Sequence, residues 1–143
     1  MNMEGLVMSK IIDYMSAPVL TTDPDILASD AIDKMFENKV GALLVEKNGE
    51  YIGIFSRIDW MHLVLRVECD CKVVKVSSIM SSPIINDDKN ETLSKASILM
   101  EENNIRHIAV TEDGKIIGML SVNDLERYYC QLHDKEGIAQ YGL

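Results

Sequence analysis

Apolar residues run along this chain in two rhythms. Short runs of strand length, Ala42–Glu46 and Tyr51–Phe55, flank Asn48-Gly49, and later Ile108–Val110 and Ile116–Leu120 flank Asp113-Gly114. Asn-Gly and Asp-Gly suit tight type I′ turns, in which both central residues take positive φ, so each pair of runs predicts a β-hairpin. Ahead of the first hairpin, Ala28, Ala31, Ile32 and Met35 recur at helical spacing. The start of that helix is marked by Asp23-Pro24, an N-cap followed by proline at the first helical position. Leu93, Ala96, Ser97 and Met100 form the corresponding stripe ahead of the second hairpin. Val19–Thr21 reads as a short strand after Pro18, and each hairpin leads into a further helical stretch, Ile58–Val67 and Val122–Leu132.

The two halves are copies. A shift of 65 positions, without a gap, brings Met15 onto Met80, Pro18 onto Pro83, Met35 onto Met100, Gly53 onto Gly118 and Asp59 onto Asp124. Residues 15–60 and 80–125 share 15 identities in 46 positions. Constant spacing across glycines, prolines and acidic residues is the mark of a duplicated unit. The expected class is α/β (α+β), with two tandem βαββα repeats at residues 8–67 and 75–132. Residues 68–74 are expected as a linker and 133–143 as a tail that frays. A unit of about 60 residues is marginal alone. The repeats are therefore expected to pack on each other about a pseudo-two-fold axis as one module, with a ligand cleft between them.

Composition removes several functions. Lys and Arg number 14 against 23 Asp and Glu, a net charge of −9, which argues against a nucleic-acid or anionic-membrane surface. No apolar run approaches the roughly 20 residues that cross a bilayer, and Met1–Lys10 lacks a signal-peptide layout. Three cysteines, Cys69, Cys71 and Cys130, make no disulfide framework and suit a reducing cytoplasm. Cys69-Asp70-Cys71, with His62 or Cys130, matches no zinc-ligand spacing, so no metal is expected. No Gly-x-Ser-x-Gly, His-Glu-x-x-His or phosphate-cradling loop is present, and no enzymatic activity or catalytic cofactor is expected.

Each hairpin ends alike, in Gly53-Ile54-Phe55-Ser56-Arg57-Ile58-Asp59 and Gly118-Met119-Leu120-Ser121-Val122-Asn123-Asp124. Read structurally, serine at N-cap with an acid at N3 is a capping box, contributing around 1 kcal/mol. Read functionally, a helix N-terminus attracts phosphate, an ionised carboxylate accepts both hydrogens of a ribose diol, and the glycine lets a ligand approach the backbone.

The duplicated Gly-x-x-Ser-x-x-Asp ending, each preceded by Met-x-x-Pro at Met15–Pro18 and Met80–Pro83, resembles a tandem pair of CBS domains (a Bateman module) over residues 8–132. The resemblance implies a regulatory module that binds an adenosine derivative such as AMP, ADP, ATP or S-adenosylmethionine between its repeats. It places Asp59 and Asp124 at the ribose hydroxyls and Ser56 and Ser121 near ribose or phosphate. It places Arg106 and His107 towards phosphates, and Val19, Leu20, Ile84 and Ile85 along the adenine slot. The first repeat departs from the pattern, with Gly41-Ala42 where the second has Arg106-His107; Arg57 stands in for some of the missing charge. The site around Asp124 with Arg106 and His107 is accordingly favoured over that around Asp59.

The stretch from Ile58 through Trp60, Met61, Leu63, Val64 and Leu65 to Val67 is apolar almost all round, as in a helix buried on more than one side. A second subunit is the expected cover, with Trp60 as an anchor. The resemblance implies a homodimer through Ile58–Val67 and Val122–Leu132. The leading expectation is a sensor that signals to an unidentified regulated protein by conformational change. The alternatives are a ligand-free dimerisation or scaffold module, and a regulator that binds its target constitutively.

Overall fold

A computed structural model describes residues 9–68 and 70–135, which fall into two compact α+β units. The first, residues 19–85, holds β1 (Thr21–Thr22), α1 (Ala28–Asn38), β2 (Ala42–Lys47), β3 (Glu50–Ser56) and α2 (Arg57–His62). Helix α2 runs on into a π-helical turn at Leu63–Val67, and a short 3-10 turn follows at Val76–Ser78. The second unit joins residues 9–18 to residues 86–135. It holds a 3-10 turn at Ile11–Asp13, β4 (Asn86–Asp88), α3 (Leu93–Asn103), β5 (His107–Glu112), β6 (Lys115–Ser121) and α4 (Val122–Lys135). The 65-residue offset holds for the elements themselves: α1 begins at 28 and α3 at 93, β2 at 42 and β5 at 107.

Each unit has one three-stranded sheet, ordered β1-β2-β3 or β4-β5-β6, with a parallel first pair and an antiparallel hairpin. The hairpins turn as their sequences require: Asn48 and Gly49 have φ of 51° and 80°, Asp113 and Gly114 of 52° and 79°. In the first unit Leu43, Val45 and Phe55 of the sheet pack with Ala28, Ala31, Ile32 and Met35 of α1, with Leu63, and with Val76 from the second 3-10 turn. In the second, Ile108, Val110, Leu120, Leu93, Ala96 and Ile11 are fully buried. Burying each large side chain of this kind contributes about 1.5–3 kcal/mol.

Three local expectations are corrected. Helix α1 starts at Ala28 rather than beside Asp23-Pro24, because the Asp23 carboxylate accepts the Asp25 N–H at 2.7 Å and closes a turn of its own. Strand β1 is correspondingly Thr21–Thr22, while Leu20 keeps a carbonyl bond to the Leu44 N–H at 2.9 Å. Residues 133–135, assigned to the tail, continue α4; the rest of that segment, 136–143, lies outside the described residues.

Segment 68–74 also does more than connect. No side chain caps α1, so its first N–H groups find other acceptors: Ala28 donates to the Val74 carbonyl at 2.8 Å and Ser29 to the Cys71 carbonyl at 3.0 Å. Sixty-five residues away, Leu93 donates in the same manner to the Ser9 carbonyl at 2.9 Å.

The opening of each sequence repeat is built onto the hairpin of the other. Ser16 exchanges two backbone hydrogen bonds with Met119, at 2.9 and 3.0 Å, and Ser81 does so with Ile54, at 2.8 and 2.9 Å. This explains Gly118 and Gly53. A Cβ at Gly118 would lie 2.7 Å from the Ser16 carbonyl oxygen and 3.0 Å from Met15 Sδ. A Cβ at Gly53 would lie 2.9 Å from the Ser81 oxygen and 2.8 Å from Met80 Sδ. The chain's own Met-Ser dipeptides therefore fill the space that the sequence suggested for a ligand. Gly118→Ala and Gly53→Ala are each expected to lower stability by about 1–3 kcal/mol, because the contact is with backbone that cannot swing aside. Urea unfolding of the two variants against the parent checks this.

Candidate functional site

Both Ser-x-x-Asp motifs sit where a hairpin's last strand enters a helix. In the first unit, Asp59 Oδ2 accepts the Ser56 N–H at 2.8 Å and the Ser56 hydroxyl at 3.2 Å, completing a capping box at α2. In the second, Asp124 Oδ2 accepts the Ser121 N–H at 2.8 Å and hydroxyl at 3.1 Å, and the Asp124 N–H returns to Ser121 Oγ at 3.3 Å. The capping geometry and the candidate ribose acceptor are thus one object. The cap fixes one carboxylate oxygen, and the other oxygen decides what the group can do next.

That other oxygen differs between the units. Asp59 is half-buried, and its Oδ1 accepts the exposed Ser81 hydroxyl at 2.7 Å. The Asp124 side chain is only 9% exposed, and its Oδ1 lies 3.4 Å from Arg127 Nη1. A hydroxyl is neutral and rotates freely, whereas a guanidinium supplies charge in a fixed fork. Neither Ser81 nor Arg127 emerged from the sequence reading. Both left a signal: Ser81 falls on Ser16 under the 65-residue shift, and Arg127 stands three residues from Asp124 on one helix face.

Arg127 is held from several sides. Its Nη2 donates to the Tyr14 carbonyl at 2.9 Å, and its guanidinium lies 5.8 Å from the centroid of the Tyr14 ring. Tyr14 meets Tyr128 edge-on at 5.1 Å and donates its hydroxyl to Gln131 Oε1 at 2.9 Å. Burial, and secondarily Tyr128, raises the Tyr14 pKa above its ordinary value, with Arg127 opposing.

The remaining expected residues divide between the units. His107 opens β5 directly opposite Ser121 in the ladder. Arg106 is exposed, and its carbonyl accepts the Val122 N–H at 3.0 Å. The second unit therefore brings Arg106, His107, Ser121 and Asp124 to one strand–helix junction. Val19, Leu20, Ile84 and Ile85 are half-buried in the first unit, where Leu20 packs against the core. Arg57, expected beside Asp59, is exposed and lines a cavity with residues of α1.

Two βαββα units with a capped carboxylate at each hairpin's end define a tandem repeat module, and comparison with known proteins gives its family. The family model for the CBS domain matches twice, at residues 11–66 and 76–130, so the chain belongs to the CBS domain family. It is 34% identical over 121 residues to the mitochondrial CBS domain-containing protein CBSX3 of Arabidopsis thaliana, covering 81% of this chain. The match spans 58% of that relative's length. Among solved structures, an uncharacterized conserved protein from Pyrococcus horikoshii matches at TM-score 0.79 and 28% identity, over 86% of this chain and 93% of that one. The CBS domain pair of protein MJ0100, solved in complex with 5′-methylthioadenosine and S-adenosyl-L-methionine, matches in fold. Its TM-score is 0.76 at 19% identity, over 87% of this chain and 98% of that one.

Tyr14→Phe removes the bond to Gln131 and is expected to cost about 0.5–1.5 kcal/mol at neutral pH. A raised phenol pKa means that the folded state favours the neutral form. Its contribution is complete below the unfolded value of about 10 and is lost as pH rises through the folded one. The stability gap between parent and variant should therefore shrink in strongly alkaline buffer, measured by urea unfolding across pH.

Proposed function

We propose that this CBS domain pair is a non-catalytic sensor of an adenosine derivative, passing occupancy to a partner protein as a conformational change. The twin capped carboxylates carry the reading. Each is an acceptor-only group held rigidly at a strand–helix junction, the chemistry that a ribose diol needs. Arg106 and His107 beside Ser121 and Asp124 suit a ligand with phosphate, such as AMP, ADP or ATP. The first repeat has Gly41 and Ala42 at those positions. Ser56, Asp59 and Ser81 therefore suit an adenosine derivative without phosphate, such as S-adenosylmethionine. Val19, Leu20, Ile84 and Ile85 offer half-buried apolar surface for the adenine ring. The adenosine-based ligands of the MJ0100 domain pair are consistent with this chemistry. A ligand of this kind shifts the module only if its affinity differs between two arrangements.

Self-association forms part of the proposal. The outer face of α2 and its π-helical turn leaves Ile58, Met61, Leu65 and Val67 between 47% and 67% exposed, which marks a protein contact. The free thiols of Cys71 and Cys130 suit a cytoplasmic setting. The same two observations, engaged carboxylates and an apolar helix face, also support the second reading, a ligand-free dimerisation scaffold.

Calorimetry with AMP, ADP, ATP, S-adenosylmethionine and NAD separates the two. Micromolar-to-millimolar binding of at least one is expected. Asp124→Ala should weaken the phosphate-bearing ligands by about tenfold or more, and Asp59→Ala should do so for S-adenosylmethionine. The absence of heat from all five at millimolar concentration would leave only the scaffold. For the dimer, Leu65→Glu is expected to reduce the sedimenting mass to that of one chain without loss of helical signal.

A further inference from the structure

We propose that the first unit carries a second, separate ligand site: a pocket between α1 and α2 that takes a small aromatic carboxylate. The pocket has a volume of about 230 Å³. Ile32, Met35 and Val40 give it apolar walls, and Phe36 and Trp60 add two aromatic ones. Lys39 and Arg57 complete the lining. Ser56 and Asp59 are not in its lining, and Arg57 is turned to the cavity, so the proposal does not rest on the adenosine reading.

Charge argues for an anion. In a chain of net charge −9, this cavity is lined by two cations and no carboxylate. Among the described residues neither Lys39 nor Arg57 has a side-chain ion pair or hydrogen bond. Two like charges on one small cavity repel each other, and a bound anion removes that cost. A planar carboxylate fits the guanidinium fork in a way that a neutral group does not.

Size and lining argue for the rest of the ligand. The volume lies below the roughly 300–1,000 Å³ usual for drug-sized ligands, and suits one ring with a short acidic arm. Phe36 is 67% exposed, an unusual state for a large aromatic residue, and a ring laid against it and Trp60 would cover that surface.

The duplication supplies an internal control. At the equivalent places the second repeat has Glu101 for Phe36, Asn104 for Lys39, Val122 for Arg57 and Leu125 for Trp60. Both cations and both aromatic residues are peculiar to the first repeat, on the same backbone. Packing alone does not demand them.

Trp60 is the chain's single tryptophan, so its emission reports directly on the pocket. The test titrates the full chain with phenylacetate, using phenylacetamide as the neutral counterpart and AMP as a competitor. A saturable emission change at micromolar to low millimolar phenylacetate is expected, at least about tenfold weaker for the amide. Lys39→Asn should abolish tenfold or more of the affinity at an unchanged melting temperature. Lys39 ends α1 in the left-handed conformation at φ 55°, and Asn104 ends α3 there at 52°, so asparagine fits the backbone. Arg57→Val should act likewise. The proposal is overturned if no saturable change occurs, if the amide binds equally, if Lys39→Asn leaves the titration unaltered, or if AMP displaces phenylacetate. It is equally overturned if Trp60 emission ignores phenylacetate and instead follows dilution together with sedimenting mass, since a second copy would then fill the pocket.

Discussion

Backbone pairing between the Met-Ser dipeptides and the outer hairpin strands is the constraint from which most of this structure follows. Strands β3 and β6 each have one edge bonded within the hairpin and one left open, and an open edge invites pairing. Ser81 closes the edge at Ile54, and Ser16 closes it at Met119. Close approach of two backbones leaves no room for a Cβ, which fixes glycine at 53 and 118. Once docked, each segment brings chemistry with it. Ser81 delivers its hydroxyl to Asp59, while the segment containing Ser16 sets Tyr14 against α4 and Arg127.

The duplication preserved this geometry and released the chemistry built on it. The inner oxygen of each carboxylate has the same partners at nearly the same distances, because the cap is what starts the helix. The outer oxygen has a neutral hydroxyl in one copy and a guanidinium in the other. Helix α2 and its π-helical turn present exposed Ile58, Met61 and Leu65 where α4 presents Asn123, Glu126 and Cys130. Two carboxylates with one backbone and different partners offer different chemistry, which a single copy could not do.

How much of this was legible depended on the range of each signal. The hairpins were plain because Asn48-Gly49 and Asp113-Gly114 satisfy a requirement two residues long. Both capped helices were plain because Ser56 and Asp59 lie one helical turn apart. Asp23-Pro24 misled because aspartate can cap a helix or close a turn on its own following residues, and packing at Ala28 decided between them. The Met-x-x-Pro openings and the glycines were visible as repeated features, but their pairing joins Ser81 to Ile54 across 27 residues and Ser16 to Met119 across 103. No local rule reaches that far. Arg127 escaped for a similar reason: its task depends on Tyr14, at the opposite end of the chain.

The interleaving also sets an order of events during synthesis. The first unit is continuous from residue 19 to residue 85, so every part of it is available once that stretch has left the ribosome. The second unit begins with residues 9–18 and ends with α4. Its opening segment is therefore made first and used late: Ile11 and Ile12 wait for Glu91 and Lys89, and Ser16 waits for β6, while the whole first unit folds. Contacts of such sequence separation slow folding, because the loop must close before they reward it. A nascent chain whose first hundred residues have left the ribosome would thus hold one finished unit and one strand without a sheet.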